Sequence, residues 1–325
     1  MDNNIAEQPT FDDEIDLREL FMVLWEGKLA IILGTALSAL IAVSAALSLP
    51  NKYTSEALLA PRAEGGAGGT LGQLASQYGG LASLAGINVG GLGEAGKAAI
   101  AIEMLKSREF FGEYLYDHVL VDLMAVQGWD PASKKSIVDA AIYDSASQTW
   151  VRDVGHAFQV KPSVQEAHKA FVENFLSVGE DKQTGFVTLA VTHFSPSVAR
   201  DWVILIVNGV NNAVRARDVE EAENSIAFLN EQRQKTSLVS LTEVFAELIE
   251  QQTKTVMLAA ASEEYVFQII DPPVAPELKS EPSRALICIL GVLLGGMLAV
   301  VYVLIRHYAK GDRRKSSSDG SGEAG

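Results

Sequence analysis

The chain has 325 residues, 48% of them hydrophobic, and a net charge of −15; that length suits two domains, but the apolar residues are unevenly spread. An acidic surface without a basic stripe excludes nucleic acid as a natural partner. The single cysteine, Cys288, excludes an internal disulfide and a thiolate metal cluster.

In chain order, residues 1–28 form an acidic leader in which only Arg18 and Lys28 are positive. The 21-residue block Leu29–Leu49 follows, and a second uncharged block of 21 residues, Ala285–Ile305, lies near the other end. At 1.5 Å per residue each spans about 30 Å, the thickness of a bilayer core. A buried core helix rarely runs so long without a charge. A cleaved signal peptide has a short basic leader and a shorter apolar core, so the first block reads as an uncleaved anchor. Arg306, Lys310, Arg313, Arg314 and Lys315 follow the second block, and basic residues beside a span stay on the cytoplasmic side. The expected layout is a cytoplasmic segment 1–28, spans at 29–49 and 285–305, a periplasmic domain 50–284 and a cytoplasmic tail 306–325. The external part holds 19 Lys and Arg against 30 Asp and Glu.

Within that domain, Tyr53 to Pro61 alternate as a strand. A glycine-rich insert, 65–96, holds twelve of the 27 glycines. Its end, Gly91-x-x-x-x-Gly96-Lys97, imitates a nucleotide-binding loop. Ala98 stands where a Mg²⁺-binding hydroxyl is needed and no buried strand precedes it, so no nucleotide is expected. The insert is either a mobile loop or a contact made on assembly. Residues 97–123 show helical periodicity. Shorter helices are expected near Ser133 and from Val164, the latter capped by Ser163. Residues 184–196 read as a strand apolar on both faces, after a turn at 181–185. Ser195 and Pro196 then open a helix, 197–262, with Trp202, Ile206, Val210 and Val214 in one register. Ala222, Ile226, Leu229, Leu238, Leu241, Phe245 and Leu248 make a second. Unbroken, it would be about 100 Å long. Its charge run at 215–223 reads as a solvated face. After a strand at 264–271, the linker 272–284 carries Pro272, Pro273, Pro276 and Pro282, a composition that favours a stiff, extended strut.

No catalytic, cofactor-binding or metal-binding residue emerges. His118, His156, His168 and His193 lack ligand spacing, and acid pairs such as Glu220–Glu221 and Glu263–Glu264 are commonplace in so acidic a chain. Gly291 and Gly295 form a small-xxx-small pair suited to close helix packing in lipid, against the first span, a neighbouring subunit or another protein.

The blocks "EIDLRELFMVLWEGK", "MLKSREF", "DKQTGFVTLAVTHFSPSVARDW" and "IIDPPVAPELKSEPSRALI" resemble the Wzz-type chain-length determinants, or polysaccharide co-polymerases. The resemblance implies an α+β membrane protein with two transmembrane helices flanking a periplasmic α/β base and a very long helix. It also implies a homo-oligomeric ring in the inner membrane, without enzymatic activity, setting the length of an O-antigen or exopolysaccharide on its lipid carrier beside a polymerase. Some relatives are fused to or partner a cytoplasmic tyrosine kinase; the tail after Ile305 shows no Walker motif and only Tyr308, and a kinase-less member is expected. The alternatives are a polysaccharide export component and, less favoured, a two-span sensor, which needs a cytoplasmic output module larger than a twenty-residue tail.

Overall fold

The computed structural model describes residues 17–62, 94–155, 158–236 and 238–318. Most of the glycine-rich insert and the outer ends of the leader and tail lie outside them. Two compact units result, one of residues 1–49 with 282–325 and one of residues 50–281.

The first unit holds α1 (Leu17–Glu26), α2 (Lys28–Ser48) and the last helix, α9 (Arg284–Ser318). Both apolar blocks are helical, and α2 packs along α9. The last helix runs on past Ile305 into the basic tail. Most large side chains on α2 and α9 point outward: Leu33, Leu37 and Leu40 are each more than 60% exposed. Such surface is tolerable in hydrocarbon and not in water.

The second unit is a four-stranded antiparallel sheet with helices on one face. Strand order is β6 (Leu176–Glu180), β7 (Val187–His193), β1 (Tyr53–Pro61), β8 (Phe267–Asp271). Register pairs Ala57 with Leu189 and Leu59 with Val187, so odd positions of both central strands face the helices. Val187, Leu189, Val191 and His193 are fully buried, whereas Thr188 is exposed and Ala190 and Thr192 are half-buried. The expectation of two buried faces on this strand is therefore corrected. Threonines cover the open face, where Thr54 and Thr192 share a hydroxyl hydrogen bond of 2.8 Å across the strands.

Helices α3 (Glu94–Leu105), α4 (Arg108–Phe110) and α5 (Tyr116–Ala125) occupy the segment expected to be helical. Between α4 and α5 the chain widens into a π-turn, Phe111–Leu115. The last residues of the expected insert, 94–96, already belong to α3. No helix starts near Ser133. Asp130 accepts the Ala132 and Ser133 amides, Lys134 takes φ +53°, and β2 (Val126–Asp130) turns back as β3 (Lys135–Val138). The expected helix start at Ser133 is instead part of a hairpin turn closed by Asp130. A two-residue pair, β4 (Tyr143–Asp144) and β5 (Thr149–Trp150), follows. Helix α6 (Val164–Asn174) is capped as expected, Ser163 Oγ accepting the Glu166 amide at 3.2 Å.

The long helix is corrected in extent. Helix α7 (Pro196–Lys235), 40 residues and about 60 Å, is long indeed, but it stops. Thr236 and Leu238 are extended, and α8 (Val239–Ala261) folds back along it. The "KTSLVS" stretch has no glycine or proline to mark the break, only the weak helix formers Thr236, Ser237, Val239 and Ser240 and the basic Arg233 and Lys235, which suit a helix C-terminus. Trp202, Ile206, Val210 and Val214 are buried in the core as the periodicity predicts. In the hairpin Ala222, Leu229 and Ala259 are buried between the helices, while Leu238 and Leu241 stay exposed. Ser195 occupies the cap position of α7, but its hydroxyl meets Ser197 rather than a backbone amide.

Candidate functional site

Among the described residues no group of three or more His, Cys, Asp or Glu side chains could hold a metal ion. His118 is exposed, and His168 bonds the Lys106 carbonyl at 2.9 Å. His156 lies outside the described residues. His193 is fully buried against Trp202, with ring centroids 5.0 Å apart, and Phe175 at 5.7 Å. Its Nδ1 accepts the Ser195 amide at 3.0 Å, which leaves Nε2–H to donate to the Asp122 carbonyl at 3.1 Å. Burial, with a smaller contribution from the Lys52 charge, pushes its pKa down to about 4 although the bond to the Asp122 carbonyl favours the protonated ring. A neutral imidazole with both nitrogens engaged joins the end of β7 to α5; it has no proton to trade at neutral pH.

The end of the Gly91–Lys97 run has a structural occupation as well. Lys97 Nζ stands 3.1 Å from the Asp218 carboxylate on α7, which also accepts the Tyr265 hydroxyl at 2.8 Å. At the other end of the insert, the Arg62 amide reaches the Val266 carbonyl at 3.0 Å and its guanidinium reaches the Glu264 carbonyl. Both ends of the insert are thus fastened to residues 264–266. Glu264 accepts the Ile269 amide, and the Glu263 carbonyl accepts from Arg215. Of this acid pair, the Glu264 carboxylate supports the backbone of β8, and Glu263 contributes its main-chain carbonyl.

Asn211 was not legible as important. Buried on α7, its Oδ1 accepts the Val266 and Phe267 amides at 2.8 and 2.9 Å, and its Nδ2 donates to the Phe267 carbonyl at 3.1 Å. One side chain thereby satisfies the backbone of β8 where it begins. Arg152 makes a second unexpected clamp. It forks onto both Glu166 oxygens, at 2.5 and 2.7 Å, and donates to the Gln159 and Val160 carbonyls. The pair holds the Glu166 carboxyl below its ordinary range, chiefly by hydrogen bonding from Arg152.

The proline segment leaves β8 without regular structure and runs beside the start of β1. Ser55 Oγ donates to the Val274 carbonyl at 2.8 Å, and Lys52 exchanges backbone hydrogen bonds with Ser280 and Glu281. Pro273 is buried, whereas Pro272 is exposed. The two chain ends of this unit consequently leave it side by side.

In the terminal unit, Gly291 and Gly295 face α2. A Cβ added at Gly295 would stand 2.2 Å from Ser38 Cβ, and one at Gly291 2.4 Å from Ala42 Cβ. Further along, Gly34 meets Ala299 and Gly27 meets Val303. Small residues spaced by four on both helices make a seam in which the backbones approach closely. Ser38 and Thr35 return their hydroxyls to the Thr35 and Ile31 carbonyls, at 2.9 and 2.8 Å, so the seam presents no unsatisfied donor.

These features define a membrane protein with two terminal anchors and a large extramembrane α+β domain. Residues 13–118 match the family described as chain length determinant protein, Wzz, and residues 230–308 match the G-rich domain on putative tyrosine kinase. Residues 13–118, about a third of the chain, are thus matched by a chain length determinant domain. No curated protein matches it. Among solved structures, it is similar to a full-length bacterial polysaccharide co-polymerase at 15% identity and a TM-score of 0.39, covering 91% of this chain and 99% of that one. A fragment of WzzB, polysaccharide co-polymerase from Salmonella Typhimurium, aligns at 13% identity and a TM-score of 0.32 over 71% of this chain and 100% of that one. At these scores a family assignment rests on the two domain matches.

Proposed function

We propose that this chain is a non-enzymatic, two-pass regulator of the length of a surface polysaccharide, O-antigen or exopolysaccharide, in the bacterial inner membrane. The middle of the chain lies in the periplasm, the basic tail faces the cytoplasm, and several copies form a ring beside a polymerase and its lipid-linked glycan. The observation that carries this reading is the pairing of the chain length determinant match at 13–118 with two long apolar helices at the chain's ends. Gly291 and Gly295 hold the two spans together, and the segment with Pro272, Pro273, Pro276 and Pro282 is the stiff strut that joins the domain to the membrane. Deleting the gene leaves polymer synthesis intact and broadens its length distribution, read on a gel of surface polysaccharide. Complete loss of polymer would reject this reading in favour of a second one, an export component. That alternative is compatible with the same pair of long apolar helices near the chain's ends.

A further inference from the structure

We propose that α1 is an interfacial anchor, with Trp25 seated among the lipid headgroups where the chain enters its first span and Phe21 and Met22 at their water-facing side. The proposal rests on the two-span reading and adds a lipid-binding role for the residues before it.

The argument begins with helical phase. The Gly27 amide donates to the Val23 carbonyl at 3.0 Å and the Ile31 amide to the Gly27 carbonyl at 3.1 Å, so the α-helical hydrogen bonding of α1 passes through Gly27 into α2. Two stripes therefore run the length of both helices. Val23, Ala42 and Ala46 are buried, and with Gly27, Gly34 and Ser38 they lie on the side that meets α9. On the other side Phe21 is 63% exposed, Trp25 62%, Leu29 69%, Leu33 69%, Leu37 63% and Leu40 67%. From Leu29 onward that stripe faces hydrocarbon if α2 spans the membrane. Phe21 and Trp25 continue it at the same four-residue spacing, with Met22 adjacent and 53% exposed.

Depth follows from the rise per residue. Trp25 precedes Leu29 by four residues, about 6 Å, and Phe21 precedes it by about 12 Å. The polar layer on each side of a bilayer is about 5–8 Å thick, which places Trp25 within it and Phe21 about 4–7 Å beyond it on the water side. Lys28 Nζ lies 4.7 Å over the Trp25 ring. An amphipathic indole beside a cation that can extend toward water suits a headgroup layer. Phe21, Met22, Trp25 and Glu26 line an open depression of about 350 Å³ on the same side.

The test uses the full chain in phosphatidylcholine nanodiscs. The chain has four tryptophans, so the Trp25 fluorescence is obtained as the difference between wild type and Trp25→Phe. A headgroup-attached nitroxide lipid should quench that component at least twofold more than a nitroxide at the chain centre, and aqueous iodide should quench it weakly. Quenching by iodide alone overturns the proposal, because the ring then faces water. Protection from all three quenchers also overturns it, because a protein surface such as a second copy then covers the ring. Preferential quenching from the chain centre refutes the depth. Alkaline carbonate extraction separates this failure from that of the two-span reading. A chain that stays in the membrane with Trp25 unquenched loses only the anchor, and a chain that is released loses both.

Discussion

Replacing Asn211 by alanine strips the start of β8 of three hydrogen bonds at once: two amides lose their acceptor and the Phe267 carbonyl loses its donor. All are buried, and the space left by the amide is lined by Phe267 and Val266, both 5% exposed or less, so water enters poorly. A buried backbone group without a partner costs about 1–3 kcal/mol, and relaxation of the edge strand recovers part of that, which puts the net loss at about 3–4 kcal/mol. Against a typical domain stability of about 5–15 kcal/mol this is a large fraction. The neighbouring Asn212 is exposed and bonds only Arg215, so Asn212→Ala should cost less than about 0.5 kcal/mol. Hydrogen exchange on the full chain in detergent reads the effect where it arises. Amides of 264–271 should exchange about a hundred- to a thousandfold faster in Asn211→Ala at pH 7, and those of β7 should change only by the drop in global stability. Exchange of 264–271 within threefold of wild type, with an unchanged urea midpoint, would refute the reasoning.

His193 should make stability depend on pH. Its folded pKa, about 4, lies below the ordinary 6.5, so the unfolded chain binds the proton first; stability is complete above about 6.5 and is lost as pH falls toward 4. The total is about 3 kcal/mol, and urea titrations at pH 7 and 4.5 should show most of it in wild type and little in His193→Gln. Arg152→Lys should not restore the forked contact with Glu166 and should cost about 2 kcal/mol, read as faster exchange of the amides at 158–161. In the membrane unit, Gly295→Leu should separate α2 from α9, whereas Gly296→Leu, whose nearest neighbour is Thr35 at 3.6 Å, should be accepted. Spin labels at Leu47 and Leu286 should report a longer or broader distance in the first variant only.

Much of this architecture was legible because it rests on local chemistry. An uncharged run of 21 residues has few alternatives to a membrane helix, and Ser163 three residues before Glu166 makes a cap wherever it lies. The periodicity through Trp202, Ile206, Val210 and Val214 set the buried face of α7 for the same reason. The errors came where a local signal had two outcomes. Asp130 and Ser133 suit a helix start or a tight turn equally well, and pairing of Ile137 with Gly128 chose the turn. The register through Leu229 and Leu238 is the same for one rod or two stacked helices, and only the packing of Ala222, Leu229 and Ala259 distinguishes them.

The sequence alone determined the two long apolar helices, the buried face of α7 and the strand at β7, since each depends on residue type within a short window. Tertiary structure decided that Gly291 and Gly295 meet Ala42 and Ser38, that Lys97 belongs to Asp218, and that Asn211 holds an edge strand 55 and 56 residues away. Those contacts depend on which distant backbone arrives beside each residue. Hydrophobic pattern fixes which face is buried, but it carries no label for the polar partner that burial brings.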